Sequence, residues 1–249
     1  ESSFSAKGGG TDGNGGKIKF VNEAAVKVYG AGENSQVFDV SVQGETGNGG
    51  TIYILTIGGI TFDGEASYLK ADSGTISGDG GNIEIETSVE PFIIGTDEEG
   101  AVDLSAKSNG NGKGGTVDIY SPNGLRANGA NINVSAGGSE QGGNISLNAG
   151  SIEDLFISGT LSANGGDDNG KGGSIILTGG KITLPGDANT VIKANGKGTG
   201  DGGQIELTAN YEGGIRIGNG TAEIRLEANS ENGGNGGAIN LLADGEIYL

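Results

Sequence analysis

The sequence predicts an all-β fold: a parallel, right-handed, three-sided β-helix of about 30 residues per coil, with residues 1–249 as a single repeat domain. Three observations carry this. The pattern GG-x-[IV]-x-[FIL] occurs eight times, each instance is followed by further apolar alternation, and 55 of the 249 residues are glycine. Scattered glycine pairs would follow from composition, but eight pairs carrying one apolar template would not.

The first element of each unit is the strand after the glycine pair. Its fourth position is Ile18, Ile52, Ile83, Val117, Ile145, Ile175, Ile205 or Ile239. Its sixth is Phe20, Ile54, Ile85, Ile119, Leu147, Leu177, Leu207 or Leu241. Alternation of period two places one set of side chains on one side of a strand. A second alternation follows, seen in Ile60/Phe62, Ile182/Leu184, Ile215/Ile217 and Ile247/Leu249. A third has the form [ILV]-x-Ala: Leu69/Ala71, Leu104/Ala106, Val134/Ala136, Leu161/Ala163, Ile192/Ala194 and Leu226/Ala228. The Gly/Asn/Asp/Ser-rich segments between, such as 164–170, tolerate positive φ and read as corners.

Successive glycine pairs lie 34, 31, 34, 28, 30, 30 and 34 residues apart. Three short strands and three turns fit that length. No strand can bury its apolar side alone, so winding the chain stacks Ile over Ile and Leu over Leu at about 4.8 Å per coil. The eight fourth-position residues then form a core ladder, and variable spacing reflects loop insertions at one corner. An antiparallel sandwich also has short alternating strands, but has no reason to repeat one template eight times.

Composition removes several classes. Collagen needs glycine at every third residue and abundant proline; here there are 3 Pro and no such period. Regular Ile and Val argue against disorder. With no Cys and no His, disulfides, the usual zinc sites and His-based general catalysis are out. The longest near-apolar stretch, 52–60, is broken by Gly58-Gly59 and too short to span a bilayer. A net charge of −18 disfavours nucleic acid.

Units such as Gly172-Gly173-Ser174-Ile175-Ile176-Leu177-Thr178 and Gly202-Gly203-Gln204-Ile205-Glu206-Leu207-Thr208-Ala209 resemble the repeats of filamentous-haemagglutinin-type large exoproteins. The resemblance covers nearly the whole chain. It implies a bacterial surface shaft, extracellular, of the kind exported by two-partner secretion. That family's secretion domain carries an Asn-Pro-Asn type motif; the nearest match here, Ser121-Pro122-Asn123-Gly124, lies mid-chain. The repeats define no catalytic or ligand residues.

Asp167-Asp168 is the only Asp-Asp pair, and glycoside hydrolysis needs two nearby carboxyls. It sits in a Gly/Asn turn, where Asp builds the corner, and only Arg126, Arg216 and Arg225 are available to hold an acidic sugar. No catalytic residue is assigned, and the chain reads as no enzyme. Calcium is the one cofactor the loops could gather. Asp12, Asp79, Asp167, Asp168 and Asp201 precede the first strand of their units, and stacked loops concentrate the oxygen ligands that hard cations take. Turn formation accounts for the same residues, and the calcium nonapeptide GG-x-G-x-D-x-U-x is not matched. No phosphate loop occurs. The sequons at Asn133, Asn144 and Asn219 are those expected of such a composition, with Asn133 and Asn144 inside strands. Tyr53 and Tyr120 both fall outward on first strands and could align.

Phe4-Ser5-Ala6 has the third-strand form, while the last two strands, ending at Leu249, are a first and a second. The domain therefore begins and ends mid-coil. Phe4, Ala6, Leu241, Ile247 and Leu249 would form an axial interface, met by a continuing chain or by a second copy stacked head-to-tail. Three functions compete: an extracellular structural shaft, which the sequence favours, an adhesin module taking a glycan or a host-surface protein, and a polysaccharide-active enzyme.

Overall fold

A computed structural model describes residues 4–30, 35–64, 67–94, 102–186, 188–218 and 220–249. Among them every strand–strand pairing is parallel and no helix occurs. The chain winds as a β-solenoid of about 7 turns with roughly 32 residues per turn. Three columns of strands form its faces. On face one the predicted ladder stands in register, Ile18 on Ile52, Ile83, Val117, Ile145, Ile175, Ile205 and Ile239. Face two stacks Val26, Ile60, Phe92, Leu125, Leu155, Ile182, Ile215 and Ile247. Face three stacks Phe4, Phe38, Leu69, Leu104, Ile132, Leu161, Ile192 and Leu226.

Period two then decides the core. Along Thr51–Thr56 and Asn82–Thr87 half-buried and fully buried residues alternate strictly. Ile52, Ile83, Val117, Ile175 and Ile205 are fully buried. Each such side chain contributes about 1.5–3 kcal/mol through burial. The ladder is weaker at its ends than the sequence implied: Ile18 is half-buried and Ile239 is 44% exposed. Each has a coil on one side only.

Two further expectations are corrected. The third-strand pair of the fifth coil is Ile132/Val134, not Val134/Ala136, because Ile132 stands on Leu104 and beneath Leu161. Val134 therefore fills the corner that Ala71, Ala106 and Ala163 fill elsewhere, all fully buried, and Ala136 lies out in the loop. Length variation is also not confined to one corner. Between faces two and three, Val26 to Phe38 spans 12 positions and Leu155 to Leu161 spans 6. Between faces one and two, Ile145 to Leu155 spans 10 and Ile175 to Ile182 spans 7. The glycine-rich corner from face three to face one is nearly constant: Leu69 to Ile83 is 14 positions and Ile192 to Ile205 is 13.

Candidate functional site

The constant corner holds every residue singled out for calcium. Its loop leaves the core at the small residue of strand three and returns at the second glycine of the pair. There the glycine N–H donates to the carbonyl at which the loop departed: Gly81 to Ala71, Gly173 to Ala163 and Gly203 to Ala194, each at 2.7 Å. The first glycine lies beneath the equivalent closure of the next coil. A Cβ on Gly49, Gly80, Gly172 or Gly202 would collide with the carbonyl of Ala71, Ala106, Ala194 or Ala228. This close approach of backbones, repeated at each coil, is why the motif demands glycine.

The residue before each pair forms a column: Asn14, Asn48, Asp79, Lys113, Gln141, Lys171, Asp201 and Asn235. At Asn14, Asn48, Asp79 and Asp201 its Oδ1 reaches the next coil's backbone. Asn14 accepts the Asn48 N–H at 2.7 Å, Asn48 that of Asp79 at 2.8 Å, and Asp79 that of Lys113 at 2.8 Å. Asp201 accepts the Asn235 N–H at 2.9 Å and pairs with Lys171 Nζ at 3.1 Å. The Asn235 N–H first, then Lys171, hold the Asp201 carboxyl below its ordinary range. A second column runs on the other side of the corner. Asn195 N–H donates to Asn164 Oδ1 at 3.0 Å and Asn229 N–H to Asn195 Oδ1 at 2.8 Å. Both columns went unnoticed in the sequence, although the recurrence of Asn or Asp just before GG signals the first.

The candidate calcium residues are thus distributed along the stack. Asp12 Oδ1 accepts the Thr46 hydroxyl at 2.7 Å. Asp79 and Asp201 belong to the column just described. Asp167 and Asp168 are exposed turn residues, and the Asp168 N–H donates to Gly138 O at 2.8 Å. Beside them Asn169 adopts φ 72°, and its Oδ1 accepts from Thr199 N at 2.8 Å and Thr199 Oγ1 at 3.0 Å. Among the described residues no three acidic side chains gather around a common point.

Outward positions carry the remaining chemistry. Tyr53 and Tyr120 do not align: Tyr53 stands against Lys19 and Glu84, Tyr120 against Glu86 and Asn148. Partial burial, then Glu86 and Glu84, raise the Tyr53 phenol above its ordinary range. Arg225 lies between Glu223 at 3.4 Å and Glu227 at 3.2 Å, while Arg216 and Arg126 cover the rings of Tyr248 and Phe156. Asn133 and Asn144 lie in strands as expected; Asn219 is outside the described residues.

Sequence reading missed a buried acid that lines a cleft. Asp72, 8% exposed, accepts from Ser105 Oγ at 2.6 Å and Lys107 N at 3.1 Å. Burial raises its carboxyl above the ordinary range, opposed by Ser105, Lys107 and Lys70. With Lys70, Asp103, Asn131 and Asn133 these residues line a 160 Å³ cleft on face three. The predicted axial residues lie in the two end layers. Phe4 stacks on Phe38 at 5.3 Å, and it is 51% exposed, Ile247 43% and Leu249 88%, while Ala6 and Leu241 are half-buried. No protein-family model, characterised protein or solved structure matches the chain.

Proposed function

We propose that the protein is a non-enzymatic structural shaft, extracellular in the manner its repeats imply. The observation that carries this reading is the coil-to-coil hydrogen bonding of the glycine-rich corner. There the polar side chains that would otherwise serve a ligand tie one coil to the next. Asn48 and Asp79 each bridge adjacent coils through Oδ1, in addition to the continuous parallel ladders of the three faces. A rod so connected resists bending between coils, because each coil is bonded at faces and corner alike. Negative staining of the purified protein, with small-angle scattering, tests it. A stiff rod whose length follows the coil number at about 4.8 Å each is expected; a bent or compact particle would overturn the reading.

The face-three cleft favours a second reading, adhesion to a glycan. Lys70, Asp72, Asn131 and Asn133 offer donors and acceptors in a space of 160 Å³, a size that suits one sugar ring rather than a polymer. A glycan array is the measurement, and signal lost on Asn131→Ala would favour this reading over the purely structural one.

A further inference from the structure

The outward sides of faces one and two carry opposite charge. Outward residues stack in rows by the same register as the core. The centre row of face two includes Lys27, Arg126, Phe156 and Arg216, and it holds three cations and no acid. The centre row of face one holds Glu84, Asp118 and Glu206 against a single cation, Lys19. A protein of net charge −18 thus keeps one row clear of acids and places two of its three Arg there. The spacing also agrees. Arg126 and Arg216 stand three coils apart, as do Asp118 and Glu206, about 14 Å in each case. Arg126, Arg216 and Asp118 are exposed and Glu206 is half-buried.

We propose that faces one and two are the two halves of a lateral contact between copies of this chain, with their solenoid axes antiparallel. In that register Arg126 falls on Glu206 and Arg216 on Asp118. Between these pairs Phe156 meets Ile176, which is 39% exposed, and Thr183 meets Ser146. Charge meets charge, apolar meets apolar and hydroxyl meets hydroxyl. On the flank, Asp154, which pairs with Lys181 at 3.8 Å, falls on Ser174, and Lys181 on Asn144. Parallel axes would also pair the four charges, but would set Phe156 on Ser146 and Lys27 on Lys19. The proposal goes beyond the shaft reading, which concerns a single rod. The contact joins two different faces, so it is heterologous and propagates side by side, leaving face three and its cleft outside. One face is only about 17 Å wide. The contact therefore lies at the small end for protein interfaces, and charge decides its selectivity.

Sedimentation equilibrium of the purified protein should show reversible growth with concentration. Arg126→Glu with Arg216→Glu, and separately Asp118→Lys with Glu206→Lys, should each raise the dissociation constant about tenfold or more. Thermal unfolding of the dilute variants should stay close to that of the parent, because all four side chains point outward. An equimolar mixture of the two variants should regain association, since one keeps face one and the other keeps face two. Introduced cysteines report the register in a chain that has none of its own. Ile93→Cys with Asn240→Cys should link between copies through a short bis-maleimide, whereas Ile93→Cys with Glu84→Cys, the parallel pairing, should not. A protein that stays monomeric at high concentration, reversed variants that associate as the parent does, a mixture that regains nothing, or a link at the parallel pair overturns the proposal. A stiff rod that stays monomeric leaves the shaft reading intact, so the two fail separately.

Discussion

The carboxylate of Asp201 accepts the backbone N–H of Asn235, one coil above it, at 2.9 Å. In the same column Asn48 accepts from Asp79 at 2.8 Å. A short side chain with an acceptor two bonds from Cβ spans the coil spacing of about 4.8 Å, so Asn and Asp at this position reach the backbone of the next coil. Bonds of this kind tie coil to coil along the glycine-rich corner, whose length is nearly constant, while the other two corners vary.

Replacing an interior rung damages the stack locally. Ile175 is fully buried between Ile145 and Ile205. Ile175→Asp places an unpaired charge there and should cost roughly 3–5 kcal/mol. Hydrogen exchange should lose protection first in the strands at 144–148 and 204–209. Uniform loss along the chain would contradict nearest-neighbour stacking.

The glycine pair is predicted to be steric rather than conformational in its requirement. Gly202→Ala drives Cβ into the Ala228 carbonyl, and the coil must shift to relieve it. The expected cost is about 3 kcal/mol, the upper part of the range for overpacking, read as a lowered urea midpoint with unchanged slope. No destabilisation would show that the corner yields.

Ser121 is a buried hub. Its Oγ donates to Gly124 O at 2.6 Å and accepts from Phe92 N at 2.9 Å and Thr87 Oγ1 at 2.8 Å. Ser121→Ala strands the Thr87 hydroxyl and leaves the Phe92 N–H only its longer bond to Gly124 O at 3.1 Å, and should cost about 1–3 kcal/mol. Ser121→Thr, which keeps the hydroxyl, should recover part of that loss in thermal unfolding.

Asp72 gives the stability curve a slope of definite sign. Its folded carboxyl holds a proton at higher pH than the unfolded one, so between those two values the native state binds more protons. Its contribution therefore falls as pH rises above the ordinary aspartate value of about 3.9. Asp72→Asn, which still accepts from Ser105 and Lys107, should melt higher than the parent at pH 7. At pH 3, where both carboxyls are protonated, the difference should vanish. An equal gain at both pH values would locate the effect elsewhere.

Asp201 and Glu231 have the opposite sign. The Asn235 N–H, then Lys171, hold the Asp201 carboxyl below its ordinary range, and Lys197, then the Gly198 N–H, do the same for Glu231. Their contribution is present above the unfolded value and disappears as pH falls through the folded one. Glu231→Gln should therefore lower the melting temperature at pH 7 and have no effect in strong acid.

By itself the sequence determined the strands, the sides they bury and the stacking of equivalent positions. Period-two alternation after a glycine pair is local, and repeating it eight times leaves one economical way to bury the apolar sides. Tertiary structure decided the register where the template blurs. Val134 and Ala136 both fit [ILV]-x-Ala, but only pairing of Ile132 with Leu104 and Leu161 shows that Val134 fills the corner. It also decided which acids are structural. Asp79 and Asp201, each just before a glycine pair, bond the next coil's backbone, while Asp167, just after one, lies exposed in its turn. Asp72 is buried because residues 33 and 35 positions later, Ser105 and Lys107, fold over it. Contacts of that separation depend on how the coils are laid upon one another, and no local pattern encodes them.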